Sequence, residues 1–502
     1  MKHEPLPERK PLVDVKPPAK AALLANGKAD EMTEYERKRL ENIQRNLDFM
    51  KSMGVSTAKI AARTAVGAVK APSKGIPTKR KPSEPPQPTR KSRRIQGKQS
   101  ENLALPASWP VNDVPRAGFN AEDPRTGRFD VNLTAEAVNV SSASGRSFLD
   151  SIAGGVEEKE SDLKVDATGV ETVNYQLSSE DIVKATEERI YSIVFHSRQD
   201  KLVVATGDKR GNLSLWSADE PSDAEDVVVM YRPHTLPITQ LHFAPEDSTK
   251  LVSASFDGSI REFDLKAGAF SELYGTQDDV GITSMTLDIE HNAYLISCDD
   301  GHVCSVDRRE SQKNASRFLL HEKKINTVHQ HPEFRFCLAT ASLDRTVCLW
   351  DSRKLSKSNN KPLVTMPHER SVNCAYFSPT GDHLVTVGLD NYVNLFNTGD
   401  AKHHDAHSVA PTLAIPHNNQ TGRWLTKLHA TWDPKHKDRF VIGCMQQPRR
   451  IQLFKATRKN PIQELTSEYF NSVHSINVFH PTLDAICGGN SSGRLSLWRG
   501  SK

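Results

Sequence analysis

The chain has 502 residues, with 66 Lys and Arg, 62 Asp and Glu, and a mean hydropathy of −0.55. No apolar run approaches the roughly 18 residues of a membrane span and no signal peptide opens the chain, so neither a membrane protein nor a secreted one is expected. Seven cysteines, at 298, 304, 337, 348, 374, 444 and 487, are odd in number and form no CxxC pair, which reads as reduced thiols in an intracellular protein.

The charge is uneven along the chain. Residues 1–100 carry 23 Lys and Arg against 10 Asp and Glu, and the remaining 402 carry 43 against 52, so a basic arm (+13) precedes a mildly acidic body (−9). From Gly54 to Ser108 there is no aromatic residue, and Pro, Lys, Ser and Arg dominate. Such a segment buries too little apolar surface to offset its ordering entropy, so residues 1–164 are expected to be a mostly disordered arm. One helix is expected within it, over 34–53. Thr33 and Glu36 form a capping box, Gly54 stands at the stop, and Leu40, Ile43, Leu47 and Met50 make one apolar stripe. A lone helix of this length is marginal in water, so the stripe should dock on a partner or on the body of the protein. Between Lys59 and Lys98 twelve basic residues face a single acid, Glu84. That composition suits both polyanion binding by counterion release and nuclear import.

Beyond residue 165 one pattern recurs about every 40 residues, the period of a propeller blade. The copies fall at 189–220, 234–268, 279–310, 321–354, 368–400, 418–457 and 470–502, and the fourth is the best formed. Turn aspartates (Asp208, Asp257, Asp344, Asp390) precede strands that end in an aromatic residue (Trp216, Phe263, Trp350, Phe396). In the fourth copy His321, Ser342, Asp344 and Trp350 are expected to form a buried hydrogen-bond chain, a scaffold feature. The last copy closes on its third strand, Arg494 to Trp498, so its fourth strand should come from 170–178. The expected fold is all-β: a seven-bladed WD-repeat β-propeller over 165–502.

Positions just before each first strand, and in each turn between second and third strands, converge on one face of a propeller. They hold Arg189, Lys209, Arg210, Lys323, Lys324, Arg345, Arg370 and Arg423. Eight cations on one rim would bridge phosphates along a duplex without reading sequence. No Gly-rich phosphate loop, metal-ligand spacing or nucleophile motif is present, so neither an enzyme nor a cofactor or metal site is expected. A protein scaffold whose rim binds peptides such as histone tails is the rival reading.

The run HEKKINTVHQHP…LATASLDRTVCLWDSRKL resembles the WD-repeat family that contains the small, lesion-reading subunit of the UV-damaged-DNA-binding complex. TEYERKRLENIQRN in the arm, HNNQTGRWLT at 417–426 and the closing HPTLDAICGGNSSGRLSLW bring it nearer to the sister group of WD repeat-containing protein 76 and the fungal DNA damage-binding propellers. The resemblance implies a nuclear, chromatin-associated protein that binds double-stranded DNA in genome maintenance. Trp350-Asp351-Ser352-Arg353 matches the WDxR box of substrate receptors for cullin-based ubiquitin ligases. The resemblance thereby implies that Asp351 and Arg353 face the adaptor, the large subunit of the damaged-DNA-binding complex. Where the lesion reader carries an aromatic-containing triplet, Gly422-Arg423-Trp424 stands here. Trp424 is then either a wedge between bases or a core residue.

Overall fold

The computed structural model describes residues 133–154, 173–220, 227–276, 280–309, 315–357, 359–398 and 407–501. The 34–53 helix and the basic arm lie outside the described residues.

Seven sheets follow one another along the chain, antiparallel but for a short fifth strand, His407–Ser408, that runs parallel to Val364–Pro367 at the edge of the fourth. Blade one is Ile190–Phe195, Val203–Asp208, Leu213–Ser217 and Val228–Tyr231. Blade two is Ile238–Ala244, Asp247–Ser255, Ser259–Asp264 and Ala269–Gly275, and blade three Ile282–Asp288, Ala293–Cys298, His302–Asp307 and Ala315–Leu319. Blade four is Ile325–Gln330, Cys337–Ser342, Thr346–Asp351 and Val364–Pro367, and blade five Val372–Phe377, His383–Gly388, Tyr392–Asn397 and Leu413–Pro416. Blade six, the most irregular, opens on the two-residue strand Thr431–Trp432 and continues through Arg439–Cys444, Arg450–Lys455 and Gln463–Leu465.

Blade seven closes the ring. His474–Phe479, Ala485–Asn490 and Arg494–Ser501 are completed by two short upstream strands, Asn174–Gln176 and Ile182–Lys184, both antiparallel to Arg494–Ser501. The expected donor segment is therefore in place, extended by a second strand beyond the turn at Asp181.

Neighbouring blades are stitched along their innermost strands by side chains that reach the first carbonyl of the next blade. Thr239 donates to Ile282 (3.1 Å), Thr283 to Ile325 (2.6 Å) and Asn326 to Val372 (2.6 Å). Between the sheets pack the large apolar side chains, including Trp216, Phe263, Trp350, Phe396, Phe440 and Trp498.

The hydrogen-bond chain in blade four differs from expectation in one member. His321 Nδ1 donates to Asp344 (2.6 Å), but Thr340 rather than Ser342 meets His321 Nε2 (2.7 Å) and accepts from Trp350 Nε1 (2.8 Å). Ser342, two residues on at the strand's end, donates instead to the Lys324 carbonyl (3.0 Å). The indole reaches only as far as Thr340.

Residues 133–154, which the sequence reading leaves in the arm, are folded against blades one and two. Leu133–Thr134 adds a fifth strand to blade two beside Ala269–Gly275. Helix α1, Ser142–Ala153, starts at an N-cap in which Ser141 accepts from the Ser144 amide, and it buries Phe148, Leu149 and Ile152. These three join the cluster of Val229, Tyr231, Phe263 and Phe270. Arg198 closes the other end, donating to the carbonyls of Ile152 (2.6 Å) and Ser151 (3.2 Å).

Candidate nucleic-acid interface

At one end of blades one to five, the turn between second and third strands hydrogen-bonds the segment that leads into the first strand. Lys209 N donates to the Arg189 carbonyl (3.0 Å), Leu343 N to Lys324 (3.0 Å) and Leu389 N to Ser371 (2.9 Å). Seven of the eight predicted cations lie in or beside these paired segments, and Arg423 lies on the loop that leads into blade six. Lys209, Arg210, Lys323, Arg345, Arg370 and Arg423 are exposed, whereas Arg189 and Lys324 are half-buried. They differ in what holds them. Arg210 pairs with Glu188 (3.0 Å), while Lys209, Lys323, Arg345 and Arg370 form no ion pair among the described residues.

Arg345 occupies a costly backbone position. Its φ is +77°, in the left-handed region that disfavours any residue with a Cβ. Blades one, two, three and seven place glycine at the matching turn position: Gly211, Gly258, Gly301 and Gly493, with φ between +77° and +89°. Blade four places an exposed arginine there instead. Left-handed strain of this kind gathers at functional positions.

The segment leading into blade six is the least regular part of the face, and its anchors are specific. Buried Asn419 donates to the carbonyls of Gly388 (2.9 Å) and Tyr392 (3.1 Å), which ties the loop's start to blade five. Gly422, at φ +62° with open space where a Cβ would project, turns the chain outward. Arg423 then stacks on the Trp424 ring (4.7 Å), and Arg189 of blade one donates to the Arg423 carbonyl (2.7 Å). Thr426 donates to the Ile190 carbonyl (2.6 Å), also in blade one. The loop is thus pinned on both sides of Trp424, and the indole between the pins is 75 % exposed. Of the two roles open to Trp424 from the sequence, core packing does not describe this placement.

Sequence reasoning missed Lys427. It follows this loop and donates toward Asn326 Oδ1 (3.5 Å) in a half-buried position where the charge of Lys324 reaches it. No pattern of spacing marks it, because it is brought to Lys324 by the ring and not by the repeat.

At the opposite end of blade four, Asp351 and Arg353 meet each other. The Arg353 fork is bidentate on Asp351 (2.9 and 2.8 Å), and its plane lies 3.8 Å from the Phe336 ring centre. Hydrogen bonding from Arg353 holds the buried Asp351 carboxyl below the usual carboxylate range. Asp351 also caps the short helical turn Ser352–Lys354. The arginine stays exposed but is held in one orientation, a preorganised guanidinium with remaining donors outward. Among the described residues no cluster of His, Cys, Asp and Glu has the makings of a metal site.

Comparison with known proteins agrees with this architecture. The WD domain, G-beta repeat model matches residues 226–264, 313–351 and 360–397. The chain is 32% identical to WD repeat-containing protein 76 of Rhinolophus ferrumequinum, over 93% of this chain and 74% of that protein. It is 31% identical to the protein of the same name from Xenopus laevis, over 96% of this chain and 83% of the relative. A DNA damage-binding protein of Neurospora crassa is 30% identical over 93% of this chain and 98% of its own length.

Proposed function

This chain belongs to the family of WD repeat-containing protein 76 and the fungal DNA damage-binding proteins, and on that premise we propose that it is a nuclear WD-repeat protein that binds DNA or chromatin in the DNA damage response. It works as a non-enzymatic interaction scaffold. DNA lies across the face that carries Lys209, Lys323, Arg345, Arg370 and Arg423. These contact the backbone, and Trp424 meets a base that leaves the stack.

The observation that carries this reading is Trp424, a large ring held 75 % exposed on a loop pinned by Arg189 and Thr426. An exposed indole on a pinned loop, beside cations that form no ion pair among the described residues, is a stacking platform that suits a nucleic acid. The basic stretch Lys59–Lys98 supports nuclear import and non-specific affinity.

A second reading concerns the opposite face and accompanies the first. The preorganised Arg353, with Asp351 and Phe336, supports docking of the cullin adaptor, which would make the protein a ubiquitin-ligase substrate receptor.

The test is a salt-dependent titration of the full chain against duplex DNA. Replacing Lys323 and Arg370 together by Ala should flatten log affinity against log salt by roughly 2 units, since each phosphate contact contributes about −0.9. Trp424→Ala should lower affinity by up to about a hundredfold with little change of slope, because stacking releases no counterions. If all these variants bind as the parent does, this face is not where DNA sits, and the reading of it as a protein-binding surface takes over.

A further inference from the structure

We propose that Lys427 and Lys324 together seat one phosphate of the bound nucleic acid, beside the nucleotide whose base stacks on Trp424. The proposal rests on the DNA-binding reading above and adds a built site to it.

The two lysines come from different blades. Lys324 leads into the innermost strand of blade four, and Lys427 leads into blade six. Asn326, two residues past Lys324, meets Lys427. Its amide donates to the Val372 carbonyl (2.6 Å), which leaves Oδ1 for Lys427 Nζ at 3.5 Å, a long contact for an ammonium. Lys324 Nζ sits 4.4 Å above the Phe256 ring. Both side chains are half-buried, and neither forms an ion pair among the described residues.

The groups facing them do not neutralise both charges. Burial, then the charge of Lys324, pulls Lys427 down to about 8, and the thiol of Cys374 opposes this only weakly because burial keeps it protonated. His429, two residues on, is neutral, since burial holds it near 4. Lys324 is lowered by burial and partly supported by Asp299. Two partly dehydrated ammonium groups that repel each other are unfavourable alone, and an anion between them relieves both the repulsion and the lost hydration. A phosphate suits the seat because its oxygens point several ways and each lysine acts as a point charge.

A nucleic-acid phosphate is favoured over an acidic peptide by the surroundings. Trp424 lies three residues before Lys427, on the loop whose second pin, Thr426, adjoins that lysine, and Arg423 is stacked on the indole. Lys323 adjoins Lys324 and is exposed without an ion pair. A ring exposed three residues before a recessed cation suits the base and phosphate of one nucleotide.

The experiment uses the full chain and a fluorescent oligonucleotide, single-stranded and duplex, over a salt series and from pH 7 to 9. Lys427→Gln should reduce the salt slope by about one unit, and Lys427→Arg should restore it. In the parent, affinity should fall about tenfold more between pH 7 and 9 than in Lys427→Arg, because arginine does not titrate there. Melting temperatures within a few degrees of the parent show that both variants fold. If the parent binds but neither slope nor pH profile changes in Lys427→Gln, the seat is wrong and the DNA-binding reading stands. If the parent binds no oligonucleotide, both fall. If oligo-glutamate displaces the oligonucleotide from the parent but not from Lys427→Gln, and more efficiently than inorganic phosphate does, the seat belongs to an acidic peptide instead.

Discussion

Arg189 and Arg423 are 234 residues apart in sequence, yet the guanidinium of one donates to the carbonyl of the other at 2.7 Å. The contact joins blade one to the loop that leads into blade six, passing over blade seven. Arg189 also bonds the Tyr191 hydroxyl (2.9 Å) and lies over its ring, so the brace is itself supported. It acts less as a rim cation than as the peg that sets Trp424. Arg189→Met should therefore raise amide hydrogen exchange in peptides covering 420–428 by about tenfold or more, while exchange in the blade strands is unchanged. Unchanged protection of that loop would mean that Thr426 alone holds it.

Arg345 separates stability from function. Its left-handed backbone costs about 1 kcal/mol or more, which glycine would relieve, less the extra entropy glycine loses on folding. Arg345→Gly should leave the melting temperature equal to or above the parent's and weaken DNA binding by roughly the share of one phosphate contact. A variant that melts lower and binds DNA normally would show that the arginine serves the fold.

On the other face, Arg353→Ala should abolish capture of the cullin adaptor and leave the salt slope of DNA binding unchanged, since the two faces are separate. Phe336→Leu should weaken capture partially, because the guanidinium loses the ring that orients it (3.8 Å) while its bidentate bond to Asp351 remains. A pull-down indifferent to Arg353, or empty with the parent, would remove the adaptor reading.

The blade-four hydrogen-bond chain gives a stability test. Thr340→Val leaves Trp350 Nε1 and His321 Nε2 without partners in the core, at a cost of about 2–4 kcal/mol. Ser342→Ala removes one bond to the Lys324 carbonyl and the acceptor for the Asp344 amide, about 1 kcal/mol. Urea unfolding of the two variants should rank them in that order.

Thr340 also marks where sequence patterns stop informing. The blades were legible because four of them repeat the same local chemistry, a tight Asp turn, an alternating strand and a closing aromatic, and the other three follow at the same period. The donor Asn174–Gln176 was legible because the last copy lacks a fourth strand. Which hydroxyl meets an indole depends on how far a ring reaches across a strand pair, and no spacing encodes that. The segment 133–154 was missed for a related reason. Its apolar residues Phe148, Leu149 and Ile152 are few, and their partners Tyr231, Phe263 and Phe270 lie about a hundred residues away in sequence. That the rim cations gather at one end of the blades was legible because a propeller's topology fixes where those turns lie. Their pairing was not legible: Arg189 became a brace, Arg210 found Glu188, and Lys427 entered only through the closed ring.

Acid should weaken the fold well above the carboxylate range. His196, His329, His429, His474 and His480 are each held near 4, chiefly by burial, against 6.5 for a free imidazole. The geometry at His480 shows why protonation is resisted: Nε2 donates to the Arg198 carbonyl (3.0 Å), while Nδ1 accepts from the amides of Thr482 (3.1 Å) and Leu483 (2.9 Å). A proton on Nδ1 would face two donors. The unfolded chain thus binds more protons than the folded one between about pH 6.5 and 4. Stability is fully present above 6.5 and is lost as the pH falls through that window, at up to about 1.4 kcal/mol per pH unit for each histidine. Asp257 and Asp344, lowered by their histidine partners against the opposing effect of burial, add a further loss only below about 3.8. Urea midpoints should be level from pH 7.5 to 7 and then decline steadily to 4.5. A midpoint that stays constant down to 4.5 would mean that these imidazoles accept protons in the folded protein, with the blade corners rearranged to let them.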